Sequence, residues 1–102
     1  MMTTAEYENM LSSQLYRLIG TVYDEVSQLP SEQNIDRWTR NDVNTALRRC
    51  MDAFIVAQSC AIRLSRLGEL DGASTFWIDE LTTYEDRFRS QIEHVESIVI
   101  HR

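Results

Sequence analysis

The sequence predicts an all-α fold: an up-down-up bundle of three long helices in a single domain, residues 1–102. Three observations lead to this prediction. The chain has three glycines and one proline, whereas an all-β domain needs a turn signal about every ten residues. Apolar residues recur three and four positions apart over three long segments, which is the spacing of a buried helix face. The length of 102 residues suits one domain.

The first predicted helix runs from Thr4 to Leu29. The stretch Thr3-Thr4-Ala5-Glu6 fits a capping box, in which a threonine hydroxyl and a glutamate satisfy amide groups at the helix start. Pro30 ends the segment, because proline disfavours the α conformation in the residue before it. The apolar stripe consists of Leu11, Leu15, Leu18, Val22, Val26 and Leu29, and Tyr16, Ile19 and Tyr23 widen it.

The second predicted helix runs from Asn41 to Leu67, after a segment that allows a short helical turn near residues 34–39. Thr39 and Asp42 fit a weaker capping box, with aspartate in place of glutamate. The main apolar line is Val43, Leu47, Cys50, Phe54, Ala57, Ala61 and Leu64, with Ala46, Ala53, Cys60 and Leu67 beside it and Met51, Ile55 and Ile62 on the other flank. This surface is wider than an ordinary amphipathic stripe, so we expect the helix to be central.

The third predicted helix runs from Ser74 to Ile100, after a break in which Gly68 suits a left-handed C-cap. Its buried side is marked by Trp77, Leu81, Tyr84, Phe88, Ile92, Val95 and Val99. Short connections between long helices favour antiparallel neighbours. Apolar and aromatic side chains also lie at or beyond the stripe edges: Tyr7, Tyr16, Ile19, Tyr23, Ile62, Ile78, Ile98 and Ile100. A homodimer would cover them.

The two cysteines, Cys50 and Cys60, lie in one almost wholly apolar run. Ten residues of helix separate them by about 15 Å, which is too far for a disulfide or a shared metal ion. We therefore expect reduced thiols that act as small apolar core residues. A disulfide between two subunits through Cys60 is the alternative.

The composition excludes several locations and chemistries. The first ten residues lack the basic and apolar regions of a signal peptide. The longest dense apolar run, Ala53–Ala57, is far shorter than the roughly 20 residues that span a bilayer. These features predict a cytoplasmic protein without membrane insertion. All ten basic residues are arginine, which excludes a phosphate-loop or catalytic lysine. The net charge of −6 makes direct nucleic-acid binding unexpected.

No metal or cofactor site is predicted. The only histidines, His94 and His101, would stand about 10.5 Å apart on one helix, which is too far to share one zinc ion. The predicted apolar stripes contain no inward-pointing carboxylates for a di-metal centre. The chain also lacks the Gly-x-Ser-x-Gly motif and any glycine-rich phosphate loop. The prediction therefore leans towards a protein that is not an enzyme.

One six-residue stretch bears on catalysis: Arg89-Ser90-Gln91-Ile92-Glu93-His94. It resembles the signature of the HEPN ribonuclease family, whose members are usually dimeric. The resemblance implies that Arg89 and His94 would handle the scissile phosphate. Histidine titrates near neutral pH and arginine can stabilise charge on a phosphate. The alternative is an exposed ion-pair ladder, Glu85–Arg89–Glu93, which the sequence favours.

The charge pattern is the most specific surface feature. Residues 43–67 have four arginines against one aspartate, and residues 68–102 have eight acidic residues against three arginines. Arginine is favoured at protein interfaces because its planar fork binds carboxylates in pairs. The residues predicted to bind a partner are Arg48, Arg49, Arg63, Arg66, Asp79, Asp86 and Glu93. Asp52 is placed to pair with Arg48.

These patterns favour a small acidic helical module that binds another protein through charged and aromatic helix faces, most simply as a homodimer. Inhibitors of phages and plasmids, secretion chaperones and regulatory adaptors are proteins of this general kind; this comparison rests on fold and composition alone. Two alternatives stay open. One is a HEPN-like ribonuclease that uses Arg89 and His94. The other is a bundle that binds an apolar ligand, which only the wide stripe of the second helix supports.

Overall fold

The computed structural model describes residues 1–31 and 33–100. Within these residues the chain is helical and has no strand. Its elements are α1 (Thr4–Ser27), a short 3-10 turn (Ile35–Arg37), α2 (Arg40–Ser65) and α3 (Gly72–Ile100). The predicted all-α class, the three long helices and the short turn near residues 34–39 are confirmed. The molecule is slender, with extents of 53 × 24 × 17 Å.

The predicted capping box is complete at the start of α2, and its threonine half is present at the start of α1. At α1, Thr3 Oγ1 accepts a hydrogen bond from the Glu6 amide at 3.1 Å. At α2 the capping box is complete: the Asp42 amide donates to Thr39 Oγ1 at 3.0 Å, and the Thr39 amide donates to Asp42 Oδ2 at 3.2 Å. These bonds satisfy amide groups that have no partner within the helix.

The connection between α2 and α3 is held by glycine geometry and by one acidic side chain. Gly68 has a φ of 94°, the left-handed conformation predicted for it. Helix α3 begins at Gly72, two residues earlier than predicted, because Asp71 Oδ1 accepts from the Ser74 amide at 2.7 Å. The hydrogen bond from the Ser74 amide is the main reason that the pKa of Asp71 lies below its ordinary value. The Asp71 amide in turn donates to Glu8 Oε1 at 2.7 Å, which ties the connection to α1.

The core lies between the three helices and the 3-10 turn. Its buried apolar side chains are Leu11, Leu15, Ile19, Val22, Val26, Ile35, Val43, Leu47, Cys50, Ala57, Cys60, Ala61, Leu64, Leu81, Phe88, Ile92 and Val95. The predicted stripe residues Leu18, Leu29, Phe54, Trp77, Tyr84 and Val99 pack against this core while half-buried. Ile35 is buried and Trp38 half-buried, so the short turn does cover one end of the core.

Specific contacts show how the helices are paired. The Cys60 thiol of α2 donates to the Leu11 carbonyl of α1 at 3.3 Å. Between α2 and α3, the rings of Phe54 and Phe88 are 5.1 Å apart and Gln58 donates to Glu85 at 3.2 Å. Each of the three helices therefore contacts both of the others.

One flank of α2 lies outside the core. Met51, Ile55 and Ile62, the flank that the sequence places beside the main apolar line, are each more than half exposed. Two neighbouring helices cover the main line but not this flank. The expectation of a helix contacted on two sides is met, and the width of its apolar surface exceeds what those two contacts cover.

The capping box of α2 gives a test of the fold. Replacing Thr39 with alanine removes the acceptor for the Asp42 amide, and we expect the free energy of unfolding to fall by about 1 kcal/mol. Urea denaturation followed by circular dichroism measures this change. Thr82→Ala is the matched control, because Thr82 is an exposed mid-helix threonine whose hydroxyl donates to the Ile78 carbonyl. An equal loss in both variants would contradict a role for the cap.

Candidate functional site

Helices α1 and α3 meet along a row of aromatic side chains, which we name the aromatic seam. It consists of the rings of Tyr16, Tyr23, Phe76, Trp77, Tyr84 and Phe88 and of Arg17, Gly20 and Glu80, which line the slot between them. Tyr16, Gly20 and Tyr23 are spaced by four and three residues on α1, and Trp77, Glu80 and Tyr84 by three and four on α3. These spacings place each set on one face of its helix. The two faces enclose an open slot of about 280 Å³.

The seam rings form two groups. In one, the rings of Tyr16 and Trp77 have centroids 4.7 Å apart, and Phe76 lies 4.8 Å from Trp77. In the other, Tyr23 packs edge-on against Tyr84 and Phe88, each at 5.1 Å. Tyr16 and Tyr23 are separated by about 10.5 Å along α1, so the two groups form opposite walls of the slot.

Gly20 keeps the floor of the slot open. A Cβ atom at this position would have no heavy atom within 4 Å, so the space above the glycine is unfilled. Tyr16 and Phe76 are more than half exposed, and Tyr23 is 40% exposed. Large aromatic surface that is fixed by ring packing yet open to solvent is typical of sites that receive another molecule.

The seam has polar groups of both signs. Arg17 and Glu80 line the slot, and the guanidinium of Arg87 lies over the Tyr84 ring at 5.8 Å from its centroid. Burial and the hydrogen bond to Tyr84 raise the pKa of Tyr23 to about 12. The raised pKa keeps Tyr23 protonated even in alkaline solution, so the seam presents its ring and hydroxyl rather than a phenolate.

A second concave surface, the α2–α3 groove, lies on another side of the molecule. One part, of about 310 Å³, is lined by Met51, Phe54, Ile55, Gln58, Glu85, Arg89, Ile92, Glu93 and Glu96. An adjoining part, of about 600 Å³, is lined by Asn44, Leu47, Arg48, Met51, Asp52, Ile55, Glu96, Val99 and Ile100. The floor is apolar, and carboxylates concentrate on the α3 side.

The residues predicted to bind a partner are all exposed but do not form one patch. Arg48 and Glu93 line the α2–α3 groove. Arg49 lines a separate cleft with Glu25, Arg37 and Trp38. The helical period places Asp79 and Asp86 on the solvent face of α3. Among the described residues, no ion pair joins Arg48 to Asp52, contrary to the expected pairing.

Arg89 and His94 diverge around α3. A separation of five residues on a continuous helix turns their side chains about 140° apart, and α3 is continuous from Gly72 to Ile100. Arg89 pairs with Glu85 at 2.9 Å, which is the first rung of the predicted ladder. The ribonuclease hypothesis would need Arg89 to leave this carboxylate and to act with a histidine on a different face. His101 lies outside the described residues.

The cysteines occupy core positions. Cys50 is fully buried and Cys60 is 6% exposed, so a disulfide between subunits through Cys60 would require the core to open. Burial, with a smaller contribution from Glu25, raises the pKa of the Cys50 thiol to about 11; burial also raises that of Cys60. Across residues 1–31 and 33–100, no three histidine, cysteine or acidic side chains are grouped closely enough to hold a metal ion.

Comparisons with known proteins add no relative: no family model, no curated protein and no solved structure matches the chain. In the part of the chain that the structure describes, no helix is long and apolar enough to cross a membrane.

The aromatic seam is not apparent from the sequence. In the predicted fold, Tyr16 and Tyr23 widen an apolar stripe that a dimer would cover, and Trp77 and Tyr84 mark the buried side of the third helix. The available signal was a pair of tyrosines seven residues apart with a glycine between them, since that spacing leaves a gap between two rings on one helix face. The contribution of α3 depends on helix pairing, which local patterns do not reveal.

The thiol of Cys50 gives a prediction on pH. Its pKa is 9.0 for an ordinary thiol and about 11 in the fold, so the unfolded chain loses this proton first as the pH rises. The free energy of unfolding should be unaffected by this group below pH 9 and should fall between pH 9 and 11. In Cys50→Ala this alkaline fall should be smaller. Urea denaturation of both proteins over this range measures it, and an identical pH dependence would contradict the buried thiol.

The divergence of Arg89 and His94 gives a prediction on catalysis. We expect no cleavage of labelled single-stranded RNA that depends on these residues. Arg89→Ala should lower helix stability by only about 0.3–0.5 kcal/mol, the value of one exposed ion pair. RNA cleavage by the wild-type protein that disappears in His94→Ala, with unchanged circular dichroism, would restore the ribonuclease hypothesis.

Proposed function

We propose that the protein is a non-enzymatic helical interaction module that binds a basic segment of another protein in the aromatic seam. The observation that supports this most directly is the slot around Gly20, with Tyr16 and Trp77 on one wall and Tyr23 and Tyr84 on the other. The slot has aromatic walls and a single carboxylate, Glu80. It offers recognition groups without the paired acid, base or nucleophile that catalysis requires.

Charge supports a basic partner. The chain has a net charge of −6, and Glu80 lies at the seam itself. Aromatic faces attract cations, arginine most often, and the seam contains one such contact within the chain, Arg87 over Tyr84. An incoming arginine could stack on a seam ring and donate to the Glu80 carboxylate with the same side chain. Arg17 on the opposite helix disfavours partners that are uniformly basic, and so favours a segment with isolated basic residues.

We also propose that the three helices of this module are in up-down-up order and that the module forms a homodimer. The contacts of Cys60 with Leu11 and of Gln58 with Glu85 support an up-down-up order, because in each case a later position on one helix meets an earlier position on the other. The exposed flank of α2 supports a homodimer. The seven charged residues predicted to bind a partner, of which Arg48 is the first and Glu93 the last in the chain, would then lie around the seam and the exposed flank of α2 and would not form the primary binding site.

A peptide-display selection tests the proposed binding. A random peptide library is selected on the immobilised wild-type protein, and the selected peptides are synthesised and measured by isothermal titration calorimetry. We expect peptides that contain arginine among apolar residues. Their affinity should fall by about tenfold or more in Tyr16→Ala, because loss of a stacking ring costs about 1–2 kcal/mol at such a contact.

The control for this experiment is Val56→Ala. Val56 is about as exposed as Tyr16 but lies on α2, away from the seam. Peptides should bind this variant as they bind the wild type, and Glu80→Gln should weaken the arginine-containing peptides selectively. Selection of no specific peptide, or of peptides that bind Tyr16→Ala unchanged, would contradict the proposed site.

A further inference from the structure

The α2–α3 groove has an apolar floor and charged residues along both edges. Met51 and Ile55 lie one turn apart on α2 and Ile62 follows two turns later, so the three form one exposed stripe beside the groove. Val99 and Ile100 extend the apolar floor from α3. Exposed apolar surface of this extent marks an interaction site.

The two edges of the groove differ in charge. Arg48 stands on the α2 edge and Glu96 on the α3 edge, and both line the same part of the groove. The α3 edge also has Glu85 and Glu93 against one arginine, Arg89, and the α2 edge has Asp52 beside Arg48. Within the described residues no ion pair joins Arg48 to Glu96, and both are exposed. One part of the groove therefore has an exposed cation on its α2 edge and an exposed anion on its α3 edge.

We infer that a second copy of this chain covers the groove in a two-fold dimer, with α2 of each copy over α3 of the other. This inference rests on the homodimer proposed above and specifies its surface and symmetry. A two-fold axis parallel to the helices keeps every residue at its own height and exchanges the two edges. It brings Arg48 of one copy opposite Glu96 of the partner subunit, and the same contact then forms a second time. A two-fold axis across the helices would instead place α2 on α2 and α3 on α3, and the predominantly acidic α3 edges, with Glu93 and Glu96, would then face each other.

The groove sets the size of the dimer interface. Its lining residues span positions 44–58 of α2 and 85–100 of α3, which is about 22 Å of each helix. With a width of about 20 Å, each copy contributes about 440 Å², an area typical of weaker interfaces, so we expect a dimer that dissociates on dilution. The aromatic seam lies between α1 and α3 and so stays accessible.

Charge reversal in two separate chains tests the arrangement. The wild-type mass by light scattering on a size-exclusion column should be that of a dimer. Arg48→Glu alone places two carboxylates at each contact, and Glu96→Arg alone places two guanidinium groups there, so each variant should dissociate about tenfold or more readily. Mixed in equal amounts, the two variants should form a heterodimer with wild-type affinity, because both contacts then pair opposite charges.

Asp24→Arg is the matched control, since it reverses an exposed carboxylate on α1 outside the groove; it should dimerise as the wild type does. Dimers of both single variants with wild-type affinity, or a mixture that stays monomeric, would overturn the inferred arrangement while leaving the proposed dimer intact. A wild-type protein that is monomeric at every concentration would overturn both. None of these results depends on peptide binding at Tyr16, so failure of the seam proposal is detected separately.

Discussion

The rest of the structure depends on one constraint: α1 and α3 together do not cover the whole apolar surface of α2. The main line of that helix, from Val43 to Leu64, is almost fully buried against α1 and α3, and it supplies the largest share of the core. Its flank at Met51 and Ile55 stays more than half exposed. About half of each side chain is exposed, so covering the remaining area would contribute roughly half of the value for a whole side chain, about 0.8–1.5 kcal/mol each. This uncovered area is the physical reason for proposing a second copy.

The contact between α1 and α3 is packed differently from the contacts of α2. Where α1 meets α3, aromatic rings rather than aliphatic side chains bridge the helices: Tyr16 on Trp77, and Tyr23 on Tyr84 and Phe88. Rings span a wider gap between helices than leucine or valine does, and their edge-to-face packing adds about 0.5–1.5 kcal/mol per pair beyond buried area. Because the rings are long and Gly20 has no side chain, this packing leaves a slot. The same contacts that join α1 to α3 thus create the candidate binding surface.

The sequence predicted what depends on local chemistry and missed what depends on pairing. Helical periodicity placed all three helices, and the Thr39–Asp42 box and the left-handed Gly68 were found because each follows from neighbouring residues. The start of α3 was two residues late, since Asp71 is both a cap and a partner of distant Glu8. Among the candidate site residues, the Glu85–Arg89 pair was correctly read as a helix contact. The seam was missed because its two halves are about sixty residues apart in the chain.

Burial, ring packing and charge divide the surface of this small bundle between two roles. The groove is apolar with opposite charges on its edges, so it is complementary to itself under a two-fold rotation. The seam combines aromatic rings with the Glu80 carboxylate, a combination suited to a cationic side chain of another molecule. The groove lies between α2 and α3 and the seam between α1 and α3, so a dimer through the groove leaves the seam accessible. Dimerisation through the groove would therefore present two aromatic seams on one assembly, and a partner with two basic segments would bind more tightly than either segment alone.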